Sequence, residues 1–68
     1  MEKRWRAVKG GLYWFVWVYD YVFINYDFDI YRISDTKRYE KGNYFRTKEE
    51  AQEVADKIEA IFNKQNKR

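Results

Sequence analysis

The amino-acid sequence predicts an α+β protein: a small antiparallel sheet of two to three strands packed against one C-terminal amphipathic helix. Three observations carry this. Residues 12–18 form an almost uninterrupted run of aromatic and β-branched side chains, residues 22–31 alternate apolar and polar with a period of two, and residues 48–63 carry an apolar stripe at helical spacing behind a capping signature. One domain spans residues 1–68, since a chain of 68 residues has room for no more and buries only ~60% of its unfolded surface.

Residues 1–4 are polar and expected to be loose. Trp5, Arg6, Ala7 and Val8 either begin a strand or pack back on the core, and Gly10-Gly11 then breaks or bulges the backbone. In the strand at 12–18, successive side chains point to opposite faces. Leu12, Trp14, Val16 and Val18 therefore line one face, while Tyr13, Phe15, Trp17 and Tyr19 line the other. Both are apolar. A small antiparallel sheet normally buries one face and wets the other, so either something covers the second face or its rings meet a partner. The even-numbered set is assigned to the helix, and the opposite parity would leave an equal apolar surplus on the other face. Asp20 is the best turn former by side-chain chemistry, and no Asn-Gly or Asp-Gly pair fixes the register.

In the second strand, about 22–31, Val22, Ile24, Tyr26, Phe28 and Ile30 should face the core. Asn25, Asp27 and Asp29 should face water beside Tyr21, Phe23 and Tyr31. Ser34-Asp35-Thr36 can cap a helical turn that Gly42 ends in the left-handed conformation, or the same residues can form a plain loop. Residues 43–45 can add a short third strand. Thr47 and Glu50 then form a capping box, and Ala51, Val54, Ala55, Ile58, Ile61 and Phe62 recur at the spacing of one helix face over about 48–63. Glu49, Glu50, Glu53, Asp56 and Glu59 crowd the opposite side.

Composition removes whole classes of function. The chain has no cysteine and no histidine, so thiol catalysis, serine-type triads and ordinary zinc sites lack their usual members. Gly10-Gly11 lacks the spacing of a phosphate-binding loop, and no glycine-containing calcium loop surrounds Asp27 and Asp29. The expectation is a protein that is not an enzyme, with no catalytic residue, no cofactor and no metal. Residues 12–33 are long enough to cross a bilayer, but Asp20, Asn25, Asp27, Asp29 and Arg32 interrupt them, and no small-residue cleavage site follows the basic start. A cytoplasmic protein that does not enter the membrane is expected.

Aromatic residues make up 22% of the chain. In so small a protein without disulfides many of them must be core, yet two apolar faces exceed what one helix covers. Tyr and Trp dominate interface hot spots. Trp17, Tyr19, Tyr21, Phe23 and Tyr31, with Asp27 and Asp29, are accordingly the candidate partner-binding residues, the partner being a protein. A homodimer pairing the uncovered faces is compatible with this. Nucleic-acid binding is the alternative, with the basic ends, residues 1–11 and 64–68, and Lys3, Arg4, Arg6, Lys37, Arg38, Lys41 and Arg46 contacting phosphates while sheet aromatics stack on bases; Asp27 and Asp29 on the same face would repel phosphate. A third possibility is that the acids imitate nucleic acid toward a nuclease, although an ordinary solvated helix face accounts for most of them.

The run Arg38-Tyr39-Glu40-Lys41-Gly42-Asn43-Tyr44-Phe45-Arg46-Thr47-Lys48-Glu49-Glu50-Ala51 resembles a segment of small phage and prophage proteins, in which a Tyr/Trp-rich hairpin precedes a loop reading R-Y-x-x-G-N-Y-F-x-T-x-E-E-A and a C-terminal helix. Tyr13-Trp14-Phe15-Val16 is similar to the first strand of that pattern. The resemblance implies an origin in a phage or mobile element and a host bacterial protein as partner. Inhibitors of bacterial defence, such as anti-CRISPR proteins, are one class of small phage protein that acts in this way. The chain departs from the pattern after the first strand, where Trp17, Val18, Tyr19, Tyr21 and Phe23 surround Asp20 in place of a polar turn.

Overall fold

In the computed structural model, which describes residues 4–66, the aromatic run forms β1 (Gly11–Val18) and the alternating segment forms β2 (Val22–Asp29). Lys3, Lys67 and Arg68 of the basic ends lie outside the described residues, as do residues 1–3 of the loose start. The strands pair antiparallel in a register that sets Gly11 opposite Asp29, Tyr13 opposite Asp27 and Val18 opposite Val22. Tyr19, Asp20 and Tyr21 make the turn, a three-residue connection centred on the aspartate. β2 stops at Asp29, two residues short of the expected end. There the chain swings away at Tyr31, a non-glycine residue with φ 64°, and enters α1 (Ile33–Lys41).

α1 adds a second helix to the one expected. The Asp35 carboxylate accepts the Arg32 amide at 3.2 Å and so occupies a donor that a helix start leaves unpaired. At the other end Gly42 has φ 85°, its amide donates to the Tyr39 carbonyl, and the Asn43 amide donates to that of Arg38. This is a Schellman ending, open to glycine because it has no Cβ to clash at positive φ. The third strand shrinks to one bridge in which Trp14 and Phe45 exchange backbone bonds at 2.8 and 2.7 Å. Asn43 extends it with its side chain, which accepts the Val16 amide at 2.7 Å and donates to the Val16 carbonyl at 2.8 Å. The outer edge of β1 is thereby closed. α2 (Lys48–Asn66) starts where expected, with Thr47 Oγ1 accepting the Glu50 amide at 3.2 Å; Glu50 reaches back to the Arg46 amide, one residue earlier than a standard box.

Both sheet faces are covered, by different elements. α2 lies on the even-numbered face, where Val54 and Ile58 stand across a shallow cleft from Val16 and Val18, and Ala51 and Ala55 are buried. The odd-numbered face receives α1, Tyr44 and the N-terminal segment. Tyr13, Phe15, Tyr44 and Ala7 form a buried cluster with Trp5 and Tyr39 packed against it. Residues 5–8 thus pack back on the core. Gly10, at φ 86°, makes the reversal, and Gly11 approaches so closely that a Cβ there would stand 2.9 Å from the Val8 carbonyl.

This arrangement corrects the assignment of faces in β2. Asp29, expected in water, is fully buried, and Asp27 is half-buried, because their face is the one that α1 and residues 4–8 cover. Conversely Tyr26 and Phe28, expected in the core, are each 51% exposed, and Ile30 is also exposed. α2 reaches the hairpin end of the even face and leaves its open end bare. Among the described residues no helix is long and apolar enough to cross a membrane.

Candidate protein-interaction surface

The odd face at the hairpin end is the part of the aromatic run that no helix covers. Trp17, at the last odd position of β1, is 45% exposed and meets Phe15 edge-on at 6.1 Å, so its inner edge is fixed while its outer face is open. Phe23 lies directly across the strand from it and is half-buried. Tyr21 leans on Phe23, centroids 5.2 Å apart, and is 63% exposed; Tyr19 is 77% exposed. Trp17 and Phe23 thus face each other across the strand pair, Tyr21 packs on Phe23, and Tyr19 stands in the turn beside them. They surround Asp20, which is exposed at the apex of the turn.

Behind the turn lies a cleft of about 350 Å³, formed where the last turns of α2 pass the hairpin. Tyr19, Asp20, Tyr21 and Val22 line one wall, and Glu59, Phe62, Asn63 and Gln65 the other. Ile61 and Phe62 add exposed apolar area beside it. The acids of this surface are therefore Asp20 and Glu59. The hydropathy pattern could not nominate them, since it describes Asp20 as a turn residue and Glu59 as one of several helix acids.

Asp27, Asp29 and Tyr31 belong elsewhere. Asp29 accepts from Arg6 Nε at 2.8 Å, from the Tyr44 hydroxyl at 2.7 Å and from the Tyr31 amide at 2.9 Å. Burial pushes its carboxyl up, but these donors outweigh that and hold it below the usual carboxylate range. Asp27 lies between Arg32 at 3.0 Å and Arg38 at 3.5 Å. Tyr31 is exposed, with the Arg6 guanidinium 4.8 Å above its ring, at the opposite end of β2 from the turn. None of the three contributes to the hairpin surface.

The same network occupies two of the arginines proposed for phosphate. Arg6 is committed to Asp29 and Thr36; Arg38 donates to the Tyr13 hydroxyl at 2.7 Å and lies 3.9 Å over the Phe15 ring. Asp35 is fully buried. Burial raises its carboxyl, and the Arg32 guanidinium, the Tyr13 hydroxyl and the amides of Arg32 and Ile30 more than reverse this, leaving it well below the ordinary range. Both buried aspartates are consequently ionised and fully hydrogen-bonded. Such a carboxylate is a structural ion, poorly suited to pick up a proton near neutrality.

A second apolar area, Leu12, Tyr26, Phe28 and Ile30, is exposed at the open end of the even face. Its strand edge is blunted. Asn25 Oδ1 accepts the Tyr26 amide at 2.8 Å, Asp27 Oδ1 accepts the Phe28 amide at 2.7 Å, and Arg32 donates to the Phe28 carbonyl at 3.1 Å. An incoming strand would have to displace all three.

No protein-family model matches the chain, and no curated protein or solved structure matches it either.

Proposed function

We propose that this chain is a non-enzymatic protein-binding module that acts through the tip of its hairpin. The observation that carries this is the exposure of Trp17, Tyr19 and Tyr21 on a turn held rigid by a paired sheet and backed by a cleft. Rings with two rotatable bonds lose little entropy on binding and bury large areas, and Trp17 and Tyr21 are already restrained by Phe15 and Phe23. Asp20 and Glu59 favour a partner that offers a basic side chain next to an apolar patch. From the resemblance of residues 38–51, that partner is a host bacterial protein, and a nuclease of a defence system is the class we propose.

The experiment is capture from nuclease-treated bacterial lysate on the immobilised protein, run beside a Trp17→Ser, Tyr19→Ser variant with the same urea-unfolding midpoint. One protein retained by the wild type and lost by the variant is the expected result. Equal retention by both, or retention that disappears with nuclease treatment, would overturn it. Elution volumes that depend on concentration in the wild type alone would instead assign the tip to a second copy of the chain.

A further inference from the structure

A further concave surface shares no lining residue with the cleft behind the turn, and it is built from different chemistry. Arg4, Trp5, Tyr39, Tyr44, Arg46 and Glu50 line a cleft of about 330 Å³. Its floor is aromatic and fixed: Tyr44 is buried, Trp5 lies against it with centroids 5.6 Å apart, and Tyr39 meets it edge-on at 5.3 Å. Its charges are guanidinium groups. Arg4 Cζ stands 4.2 Å from the Tyr39 centroid and Arg46 Cζ 5.7 Å from that of Trp5.

These two arginines differ from the others near the core. Arg6, Arg32 and Arg38 are each bonded to a carboxylate, whereas among the described residues Arg4 and Arg46 enter no ion pair. Glu50, the acid on the cleft wall, has its Oε1 turned to the Arg46 amide at 3.2 Å. Two guanidinium groups that enter no ion pair among the described residues therefore line one hollow with π-faces at its base and one carboxylate, Glu50, on its wall.

We propose that this cleft holds one nucleoside phosphate of a single-stranded nucleic acid, the base against the Trp5 ring and the phosphate between Arg4 and Arg46. A guanidinium fork matches phosphate oxygens bidentately, and a base stacks on an indole whatever its sequence. The volume suits one nucleotide, at the lower end of ligand pockets, and not a duplex. The site is independent of the hairpin tip, so the two assignments can fail separately.

The test is titration of the full chain with a labelled oligothymidylate of about 8 nucleotides, within the usual span of single-strand sites. The wild type should bind with an affinity that falls as salt rises. Arg4→Ala with Arg46→Ala should weaken it by about tenfold or more and flatten the salt slope by about 0.7, the change expected when one phosphate is no longer neutralised. Trp5→Leu should weaken it roughly tenfold by removing the stacking surface. The Trp17→Ser, Tyr19→Ser variant should bind as the wild type does. Unchanged binding in the double arginine variant, with its unfolding midpoint intact, would overturn the proposal. So would equal binding of a polyglutamate peptide, which would make the cleft a site for acidic protein segments, or equal affinity for thymidine monophosphate, which would remove the assignment to a strand.

Discussion

Tyr13 and Tyr44 stack ring on ring, with centroids 4.2 Å apart and planes 14° from parallel, and each donates its hydroxyl hydrogen at 2.7 Å to a different fully buried aspartate. Asp35 receives the bond from Tyr13 and Asp29 that from Tyr44. One stack of rings thus ties β1, the end of β2, α1 and the 43–45 segment together, and Arg6, Arg32 and Arg38 neutralise the carboxylates from outside. No buried side-chain polar atom among the described residues lacks a partner. In a protein with so few buried aliphatic residues, this satisfied polar layer takes the place of a larger apolar core.

Acid should unfold the protein through these two carboxylates. Both have folded-state values below the ordinary 3.8, so the unfolded chain takes up protons first as pH falls. Their contribution is complete above about pH 5 and is lost as pH drops through the ordinary carboxylate range toward the folded values. The urea midpoint is expected to be flat from neutrality to about pH 5 and to fall steadily below about pH 4. A midpoint that holds down to pH values where free carboxylic acids are fully protonated would contradict the network.

Alkali should act through the phenols. Burial first, and then the carboxylate each faces, raise Tyr13 and Tyr44 from 10.0 to about 12, with the Arg38 guanidinium and the Ala7 amide offsetting part of the rise. A raised folded value means that stability is intact below the unfolded value and is lost between pH 10 and about 12. A spectroscopic titration of phenolate should show a late step that coincides with unfolding. Tyr13→Phe and Tyr44→Phe should each remove part of that step, and its persistence at full amplitude in both would refute the assignment.

Asp35 and Asp27 contact the same two arginines, yet their removal should differ sharply. Asp35→Ala leaves the Tyr13 hydroxyl and two guanidinium groups without their buried acceptor and should cost about 3–5 kcal/mol, the range for breaking a buried pair. Asp27, at 34% side-chain exposure, is screened by solvent, and Asp27→Ala should cost about 1 kcal/mol or less. Denaturant unfolding of the two variants decides it; equal losses would mean that Asp35 is less enclosed than its contacts require.

Asn43→Ala should cost about 2 kcal/mol by leaving the amide and carbonyl of the buried Val16 unpaired at the edge of β1. Hydrogen exchange gives a local readout. The Val16 amide should be protected in the wild type and exchange much faster in the variant, while Trp14, held by Phe45, changes less. Unaltered protection at Val16 would show that Asn43 does not hold that edge.

The local elements were legible because their signals are local. The Thr47 cap on the Glu50 amide, the apolar stripe behind it, the aspartate turn and the αL glycine at position 42 each act within a few residues of themselves. A surplus of exposed aromatic surface was also legible, but not its place: Tyr13 and Phe15 of the odd set are buried under α1 and residues 4–8, and Trp17, Tyr19 and Tyr21 are the rings left exposed. Residues 33–41 were ambiguous between helix and loop because α1 contributes arginines and a buried aspartate, not an apolar stripe, to its interface.

By itself the sequence determined the strand pair, the long helix, the turn and the aromatic surplus, all of which follow from periodicity, propensity and capping. Tertiary structure decided which polar residues go inside. Period-two alternation distinguishes the faces of β2, but only the docking of α1 and residues 4–8 on the odd face makes Asp29 a buried ion, and only the path of α2 over the hairpin end of the even face leaves Tyr26 and Phe28 half in water. A carboxylate is buried when several distant donors converge on it. Arg6 and Tyr44 stand 23 and 15 residues from Asp29, and no local pattern encodes their meeting.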